Sequence, residues 1–469
     1  MQNRRDFLKT LAIGTAGLTL LPRFTFGLAG GPWDTVYPQI VARIKPPTFA
    51  KRDFDITKFG ALPGASNDSS DAITKAIEAC NKAGGGRVVV PTGEFLTAAV
   101  HLKSNVNLYI SKGATLKFST DASKYPLVHT RFEGMECMNV SPFIYAYEQT
   151  NIAVTGEGTL DGQANAEHWW NWHGNAKYGW KEGMPNQKAA RARLYKMMEQ
   201  GTPVAERVFG NGQCLRPNFF QPYSCKNVQI EGVKIINSPM WEVHPVLCEN
   251  VTVRKVWISS HGPNNDGCDP ESCKDVLIED CYFDTGDDCI AIKSGRNEDG
   301  RRIGVPTENV IVRGCEMKDG HGGITIGSEI SGGVRNVFGE NCKMDSPNLD
   351  HGLRVKNNAS RGGLLENFYF RNITIGQVAH AAITIDFNYE EGAKGNFTPV
   401  MRNFAVDGLK VGKCQYGVDI QGLEAAPVVD VSIANSTFDN VAKGNIVKNL
   451  KGLTLKNVKF NGKLTDSLS

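Results

Sequence analysis

A repeated pattern, in which an asparagine precedes alternating apolar residues, constrains the fold of this chain more than any other feature. The pattern is Asn-apolar-x-apolar, with Asp replacing Asn in two copies, and a second short apolar run follows each copy. The copies begin at residues 151, 227, 250, 275, 309, 336, 367, 403 and 430. From residue 227 onward they start 23 to 36 residues apart (250 − 227, 403 − 367), which suits a coil of three short strands. A leucine-rich repeat would need regularly spaced leucines, and a propeller blade would be longer.

The sequence therefore predicts an all-β fold, a single-stranded right-handed parallel β-helix whose repeated asparagines hydrogen-bond along a ladder at one turn. One helix is expected between residues 67 and 86, with Ser69 or Ser70 as its N-cap. We expect this helix to cap the N-terminal end of the coil stack, where open strand edges invite aggregation. Its apolar positions are Ile73, Ala76, Ile77 and Cys80.

The repeat lapses once, in an insertion at about residues 163–216. The insertion contains the aromatic run HWWNWHGNAKYGW and the basic segment KAARARLYKMMEQ, which is predicted to be helical. We favour a carbohydrate-binding wall over one end of a groove, and the alternative is a self-contained surface flap. Residues 30–469 otherwise predict a single catalytic β-helix domain, because a length rule of about 150 residues per domain does not hold for repeat folds.

The first 29 residues have the pattern of a twin-arginine export signal. Residues 3–9 read NRRDFLK, and an apolar run from Leu11 to Leu21 follows. The alternative is an ordinary amphipathic helix, because the run is shorter than the roughly 20 residues that span a membrane. We predict an exported protein, periplasmic or secreted, with no membrane insertion in its mature form.

Composition excludes some partners and cofactors. The 52 basic and 49 acidic residues give a net charge of +3, which is too small to indicate nucleic-acid binding. Among the 12 cysteines, Cys281, Cys315 and Cys342 recur at one position of the repeat, which predicts a buried row of free thiols over disulfides. No Cys/His metal spacing is present. We predict a monomer without a metal or organic cofactor.

Charged residues at coil spacing predict one functional face. Adjacent strands of a parallel stack lie about 4.8 Å apart, so residues one coil apart become neighbours. Asp266 and the pair Asp287-Asp288 are separated by 21 residues (287 − 266), His321 follows Asp288 by 33 (321 − 288), and Arg354 follows His321 by 33 (354 − 321). The predicted substrate-binding residues are Asn264, Arg354, Lys356, Tyr389, His244 and Trp241.

These residue types suit the cleavage of a glycosidic bond. That reaction needs one carboxylic acid to protonate the leaving oxygen and one carboxylate to activate water or attack the anomeric carbon. Clustered carboxylates repel one another, which raises at least one pKa and keeps that group protonated near neutral pH. Arg354 and Lys356 would bind an anion, and a sugar carboxylate matches a guanidinium with two hydrogen bonds, so a uronic acid is implied.

Structural roles compete with these assignments. Asp266 and Asp269 could cap backbone amides in a Gly-rich turn, and the pair Asp287-Asp288 could be calcium ligands. His321 alone would more often be a structural histidine. Four such motifs at coil spacing favour function over each of these alternatives.

The chain resembles glycoside hydrolase family 28, the polygalacturonase family, from about Asp53 to its C-terminus. Four motifs carry the resemblance in the family's order: Asn264-Asn265-Asp266, Gly286-Asp287-Asp288, Gly320-His321-Gly322 and Arg354-Val355-Lys356. The resemblance implies an inverting hydrolase of α-linked galacturonic acid in pectic polysaccharide or oligogalacturonides. It implies Asp287 as general acid, Asp266 and Asp288 as the base pair that holds the water, and His321 as support for their protonation. It also implies that Arg354, Lys356 and Tyr389 bind the galacturonate.

The segment SPMWEVHP (238–245) and the insertion resemble those of exo-acting members. An insertion that closes one end of the groove would admit only a chain end, so we predict release of single galacturonate residues. The alternatives are a rhamnogalacturonan-specific galacturonohydrolase of the same family, a pectate lyase on the same fold, and a non-catalytic carbohydrate-binding β-helix.

Overall fold

The computed structural model describes residues 30–468, and the twin-arginine signal predicted at residues 1–29 lies outside them. Two units are distinguished, Met1–Gln39 and Ile40–Ser469. The described part of the first unit is the start of a helix, and the second unit is the β-helix. None of the helices within residues 30–468 is long and apolar enough to cross a membrane. The α-helices described are Pro32–Arg43, Ser70–Lys82, Lys188–Glu199 and Asn297–Ile303.

Three columns of parallel strands build the coil stack, and the first column contains the repeated Asn segments. Each strand pairs with the corresponding strand of the coils before and after it, so Val251 lies between Val228 and Val276. The predicted parallel β-helix is thereby confirmed. The first-column strands are Asp53–Asp55, Gly86–Val90, Val106–Ile110, Thr150–Gly156, Lys226–Glu231, Glu249–Arg254, Lys274–Glu279, Thr307–Arg313, Val334–Glu340, Leu364–Arg371, Val400–Asp407, Val428–Phe438 and Leu450–Phe460.

The second column follows the first after a short turn in each coil. Its strands are short. In the last coils the two columns are no longer separate, because the single strand Val428–Phe438 pairs with a strand of each column. The second-column strands are Gly64–Asp68, Gly93–Thr97, Ala114–Phe118, Thr159–Asp161, Lys234–Ile236, Trp257–Ser260, Tyr282–Thr285, Glu316–Met317, Lys343–Met344, Thr374–Ile375 and Lys410–Val411. Strand Lys463–Thr465 turns back antiparallel onto Leu450–Phe460 and ends the stack.

The third column carries the candidate site. Its first three strands and its last six form two continuous sheets. Between these sheets, isolated bridges connect Phe220 to Val243, Val243 to Cys268 and Cys268 to Ile290. The column is therefore irregular where the candidate site lies. Its strands are Val100–His101, Ile144–Tyr147, Phe220–Tyr223, Ile290–Ile292, Gly320–Ile326, Leu349–Lys356, Ala381–Asp386, Cys414–Gln421 and Val441–Lys448.

The repeated asparagines form the predicted ladder. Asn336 Nδ2 donates to Asn309 Oδ1 at 3.0 Å, and Asn367 Nδ2 donates to Asn336 Oδ1 at 3.2 Å. Each of these residues has a positive φ, which Asn tolerates better than other non-glycine residues because its side chain bonds locally. Asp275 cannot donate to Asn250, and Arg43 instead binds both of its carboxylate oxygens at 2.8 and 3.0 Å.

The interior is filled by apolar side chains and thiols. All twelve cysteines are buried and free. Cys281, Cys315 and Cys342 each direct Sγ to the carbonyl two residues earlier, at 3.3 to 3.5 Å, so the predicted row is confirmed. The Cys225, Cys248 and Cys273 thiols make the same contact and form a second row, which was not predicted.

Helix Ser70–Lys82 covers the first coils as predicted. Its buried residues are Ala72, Ile73, Ala76, Ile77 and Cys80. Ser69 occupies the N-cap position, but its side chain makes no capping bond. The carboxylate of Asp68 accepts from Ser70 N at 3.0 Å instead.

The insertion forms one body with an antiparallel hairpin, Leu127–Phe132 and Met135–Val140, that the sequence pattern did not predict. The predicted helix is present at Lys188–Glu199, and its Leu194 and Met198 pack in one buried cluster with Phe132 and Met135. The insertion is therefore not a self-contained flap. Within its aromatic run, Trp169 is only 1% exposed and packs against other rings, and the carbohydrate-binding wall stays a prediction.

Candidate active site

Three carboxylates meet at the irregular part of the third column. Asp266 precedes the bridge at Cys268, and Asp287 and Asp288 precede strand Ile290–Ile292. One oxygen of each carboxylate lies within 4.8 Å of the other two. The structure therefore brings together the acids that the sequence pattern grouped.

Asp288 is held ionised by two cations. Lys356 Nζ lies 2.5 Å from Asp288 Oδ2, Arg354 Nη1 lies 3.4 Å from Oδ1, and Thr325 Oγ1 donates to Oδ1 at 3.0 Å. Burial alone would raise the pKa of Asp288, but the charges of Lys356 and Arg354 outweigh burial and hold that pKa far below its usual range.

Asp287 pairs with His321. The His321 Nδ1 atom lies 3.0 Å from Asp287 Oδ1. This hydrogen bond and the carboxylate charge raise the pKa of His321 to about 9. Burial would raise the pKa of Asp287, but the bond to His321 lowers it. The proton of the pair therefore resides on the imidazole, whose side chain is 51% exposed.

Asp266 carries the raised pKa that carboxylate repulsion predicts. Burial, followed by the charge of Asp287, raises the pKa of Asp266 to about 8, against the opposing charge of Lys293. The elevated pKa thus falls on Asp266, whereas the residue implied as general acid is Asp287. The difference arises because the His321 imidazolium lowers the pKa of Asp287, whereas at Asp266 burial outweighs the charge of Lys293, which lies 3.3 Å away.

Lys293 is a central residue that the sequence pattern missed. Its ammonium lies 3.2 Å from Glu329, 3.6 Å from Asp269 and 4.3 Å from the centre of the Trp241 ring. Burial would lower the pKa of Lys293, but the surrounding carboxylates, Asp269 foremost, raise it well above its usual value. The sequence did contain a signal for Lys293, because it directly follows the buried strand Ile290–Ile292. A lysine in such a position needs buried carboxylate partners.

The predicted substrate-binding cations lie beside an aromatic ring. Tyr389 follows strand Ala381–Asp386, and its ring centre lies 5.3 Å from Lys356 Nζ and 5.8 Å from the Arg354 guanidinium carbon. The equal sequence spacing of the motifs does not reflect strand register, because Arg354 pairs with Thr325 and not with His321.

Asn264 and Trp241 lie beside the carboxylates. Arg216 Nη2 donates to Asn264 Oδ1 at 2.7 Å, which orients the amide. Trp241 is 3% exposed and presents its ring to Lys293. Both residues line the same pocket as Asp266.

His244 does not lie where the sequence analysis placed it. Its side chain is fully buried, with Nε2 2.7 Å from Glu271 Oε2, and Nδ1 2.9 Å from both Asn218 and Gln221. The prediction that His244 contacts substrate is therefore wrong, because the hairpin covers it: Thr130 and Arg131 of the hairpin bond its partners Gln221 and Glu271. Its ring packs edge-on against Trp241 with centroids 4.8 Å apart, so it supports a pocket residue.

The site opens into a small pocket with a cavity volume of about 90 Å³. One part of its wall consists of residues that the repeat pattern did not reveal. The pocket is lined by Glu133, Arg191, Trp241, Asn264, Asp266, Asp287, Lys293, Arg296, Ser328, Glu329, Lys356, Tyr389 and Glu390.

The hairpin tip closes this wall. Arg296 N donates to the Gly134 carbonyl at 3.1 Å, and a Cβ at Gly134 would come within 3.0 Å of Arg296 N. Glu133 lies next to Gly134 and bonds both Arg191 at 2.7 Å and Arg296 at 3.0 Å. The backbone of the tip thus lies directly on the pocket wall.

Within residues 30–468, two clusters have the ligand types for a metal ion. Asp266, Asp287 and Asp288 form one, but Lys293, Lys356 and Arg354 already offset their charge, which opposes a bound cation. His261, Asp284 and Asp319 form the other. There, His261 pairs with Asp284 at 3.1 Å, and Asp319 accepts from Asn348 at 3.1 Å.

Similarity to known proteins agrees with the geometry of this site. The model of glycosyl hydrolases family 28 matches residues 208–402, which include all the carboxylates, His321, Arg354 and Lys356. An endo-polygalacturonase of Pectobacterium carotovorum subsp. carotovorum is 30% identical over 350 residues, 70% of this chain and 75% of its own length. The chain belongs to glycosyl hydrolases family 28.

Two further relatives are exo-acting by name. The exopolygalacturonase of Thermotoga maritima has a crystal structure that covers 92% of this chain and 96% of its own, with 47% identity and a TM-score of 0.89. The exo-poly-alpha-D-galacturonosidase of Dickeya chrysanthemi is 26% identical over 366 residues, 73% of this chain and 58% of its own length. As a family 28 protein, the chain is a glycoside hydrolase.

Proposed function

We propose that the protein is an exo-acting polygalacturonase that releases single galacturonate residues from the ends of pectic chains. The observation that carries the proposal is the pocket, in which Asp266, Asp287 and Lys356 share one cavity with a wall closed by the hairpin tip. A chain that continued past this wall would collide with Gly134 and Glu133. The likeness to the exopolygalacturonase of Thermotoga maritima supports the same mode of action.

Substrate binding is assigned to the cations. The carboxylate of the terminal sugar binds Arg354 and Lys356 beside the Tyr389 ring. This anion competes with Asp288 for the same two cations. Binding therefore raises the proton affinity of Asp288 and makes it a better base in the complex than in the free enzyme.

Asp287 is the proposed general acid, with His321 as the store of its proton. In the free site the imidazolium holds the proton 3.0 Å from Asp287. As charge develops on the leaving oxygen, the proton on His321 Nδ1 passes to Asp287 and from Asp287 to that oxygen, which leaves His321 neutral and Asp287 ionised. The exposed side of His321 then faces the rest of the polymer.

Asp266 and Asp288 are the proposed holders of the attacking water. Below pH 8 the pair carries one proton and one charge, since Asp266 is neutral and Asp288 ionised. Asp288 accepts the proton of the water. The oxygens of the three acids lie within 4.8 Å, closer than the roughly 6.5–9.5 Å between the carboxyl groups of most inverting enzymes. Hydrolysis is nevertheless proposed to invert the configuration of the anomeric carbon, because Asp266 and Asp288 together can bind one attacking water.

The first test is a digest of polygalacturonan followed by chromatography and viscometry. We expect galacturonate as the sole early product and a slow fall in viscosity. Proton NMR should show the β-anomer first, the signature of inversion at an α-linkage. Early mixed oligomers would overturn the exo mode, an initial α-anomer would overturn inversion, and ultraviolet absorbance of the products would indicate a lyase.

We also propose that residues 1–29 direct export through the twin-arginine route. Residues 30–469 then form one catalytic domain. The mature protein acts as a monomer on pectin outside the cytoplasm. The Arg4-Arg5 pair supports the route. Replacing both arginines by lysine should retain the full-length protein in the cytoplasm, as cell fractionation would show. Unchanged export would contradict the proposal.

A further inference from the structure

The closed wall of the pocket presents two glutamates that share one arginine. Arg296 Nη1 donates to Glu133 Oε2 at 3.0 Å, and Arg296 Nη2 donates to Glu390 Oε2 at 3.1 Å. Arg296 is 3% exposed, and its Nε donates to the Tyr195 hydroxyl at 2.7 Å. Both carboxylates are therefore fixed in position by a buried guanidinium.

The same oxygen of each glutamate takes all these bonds. Arg191 adds a second bond to Glu133 Oε2 at 2.7 Å, and Arg361 adds one to Glu390 Oε2 at 2.7 Å. Among residues 30–468, every hydrogen bond recorded to these two carboxylates ends on Oε2. Oε1 of each remains an acceptor in a pocket that both residues line.

A chain of ion pairs connects the two glutamates to the catalytic acids. Asp266 contacts Lys293 at 3.3 Å, Lys293 contacts Glu329 at 3.2 Å, and Glu329 contacts Arg296 at 3.5 Å. The sugar in the pocket therefore has the carboxylates Asp266 and Asp287 at one end and the glutamate pair at the other. Its cleaved bond, at C1, must lie at the catalytic end.

The chemistry of a pyranose decides what meets the glutamates. C1 and C4 occupy opposite corners of the ring, so a sugar with C1 at the catalytic acids directs C4 toward the closed wall. Two carboxylates there repel the sugar's own carboxylate, which leaves that group to Arg354 and Lys356. Hydroxyl groups are the donors that carboxylate acceptors bind.

We propose that Glu133 and Glu390 bind the free C4 hydroxyl of the terminal sugar and so select the kind of chain end that the enzyme accepts. Ends made by hydrolysis carry this hydroxyl. Ends made by β-elimination have a C4–C5 double bond and no hydroxyl at C4, so the enzyme rejects them. The inference rests on the proposed exo-hydrolase function.

The test compares two substrates of equal length. One is saturated trigalacturonate, and the other is the trimer that a lyase produces, which is unsaturated at its non-reducing end. Sites built to bind a hydroxyl reject analogues without it by as much as about 10⁴- to 10⁵-fold. Because Glu390 is partly exposed, we expect kcat/KM of the wild type to favour the saturated trimer by at least about 100-fold. Equal values for the two trimers would overturn the proposal.

Variants assign the preference to the glutamates. Glu133→Gln and Glu390→Gln should each reduce the preference at least about tenfold, through a loss on the saturated trimer alone. Glu366→Gln, whose native carboxylate pairs with Arg402 on the outer surface, should keep it. A full preference in both pocket variants would overturn the assignment, and the wild-type comparison decides the case if either variant fails to fold.

The same experiment separates the two proposals. Cleavage of neither trimer, together with no release of galacturonate from polygalacturonan, would overturn the proposed function and the inference with it. Cleavage of both trimers at equal rates, with galacturonate released from one and its 4,5-unsaturated counterpart from the other, would overturn only the binding of the C4 hydroxyl.

Discussion

At the scale of single residues, the site is organised by where its protons reside. One acid, Asp288, is ionised by two cations, a second, Asp287, shares a proton with His321, and Asp266 keeps its own proton up to about pH 8. Three neighbouring carboxylates thus hold different charge states in one cavity. That division lets one of them donate a proton while another accepts one.

Replacing Asp287 by Asn removes the proposed proton donor while keeping the side-chain shape. We expect kcat on oligogalacturonides to fall by roughly 10²- to 10⁴-fold with little change in KM, since general acid catalysis contributes about that much. Steady-state kinetics measures both constants. Asp284→Asn, outside the pocket, is the matched control, and full activity in Asp287→Asn would disprove the assignment.

The pH profile should have its basic limb between about pH 8 and 9. Above pH 8 Asp266 ionises and adds a charge that repels the substrate carboxylate, and near pH 9 His321 loses the proton that it holds for Asp287. The activity therefore falls as pH rises through this window. A profile of kcat/KM against pH measures it, and activity that increased from pH 7 to 9 would exclude these proton assignments.

At the scale of elements, the repeat revealed the coils but not the structures inserted between them. Asn309 and Asn336 form the ladder where the pattern placed it, and the motif residues share one face. Sequence spacing identifies the coil of a residue but not what covers it, so the burial of His244 beneath the hairpin was not predicted. Glu133 lies on a hairpin outside the repeat, and only the folded chain brings it to Arg296.

The ladder offers a test with an internal control. Asn336→Gly removes two side-chain hydrogen bonds but tolerates the φ of 57°, whereas Asn336→Ala also places a Cβ in the left-handed region. We expect Ala to lower the free energy of unfolding by about 1–2 kcal/mol more than Gly does. Denaturant titration measures both, and a less stable Gly variant would contradict this account of the ladder.

At the scale of the whole molecule, stability comes from stacking and not from covalent links. The thiols line the interior in rows, where they fill space as small apolar groups. The fold and the row of Cys281, Cys315 and Cys342 followed from sequence periodicity, because each coil repeats the same environment. The closed pocket could not be predicted from periodicity, because it depends on how the hairpin and the insertion pack together.

The absence of covalent links makes a simple prediction. All 12 cysteines should react with a thiol reagent in denatured, unreduced protein, and a reductant should leave the melting temperature unchanged. Thiol titration and calorimetry with and without dithiothreitol provide the measurements. Fewer than 12 reactive thiols would reveal a disulfide.

The last coil ends in strand Leu450–Phe460, and the three residues of Lys463–Thr465 pair with its outer edge. Three exposed lysines lie within that strand, at positions 451, 456 and 459. A second molecule that added its own strand there would have to bring these ammonium groups into contact with its own. Pairing of two molecules through this edge is thereby opposed by electrostatic repulsion, and exchanging the lysines for threonines should leave an edge through which two identical chains can pair.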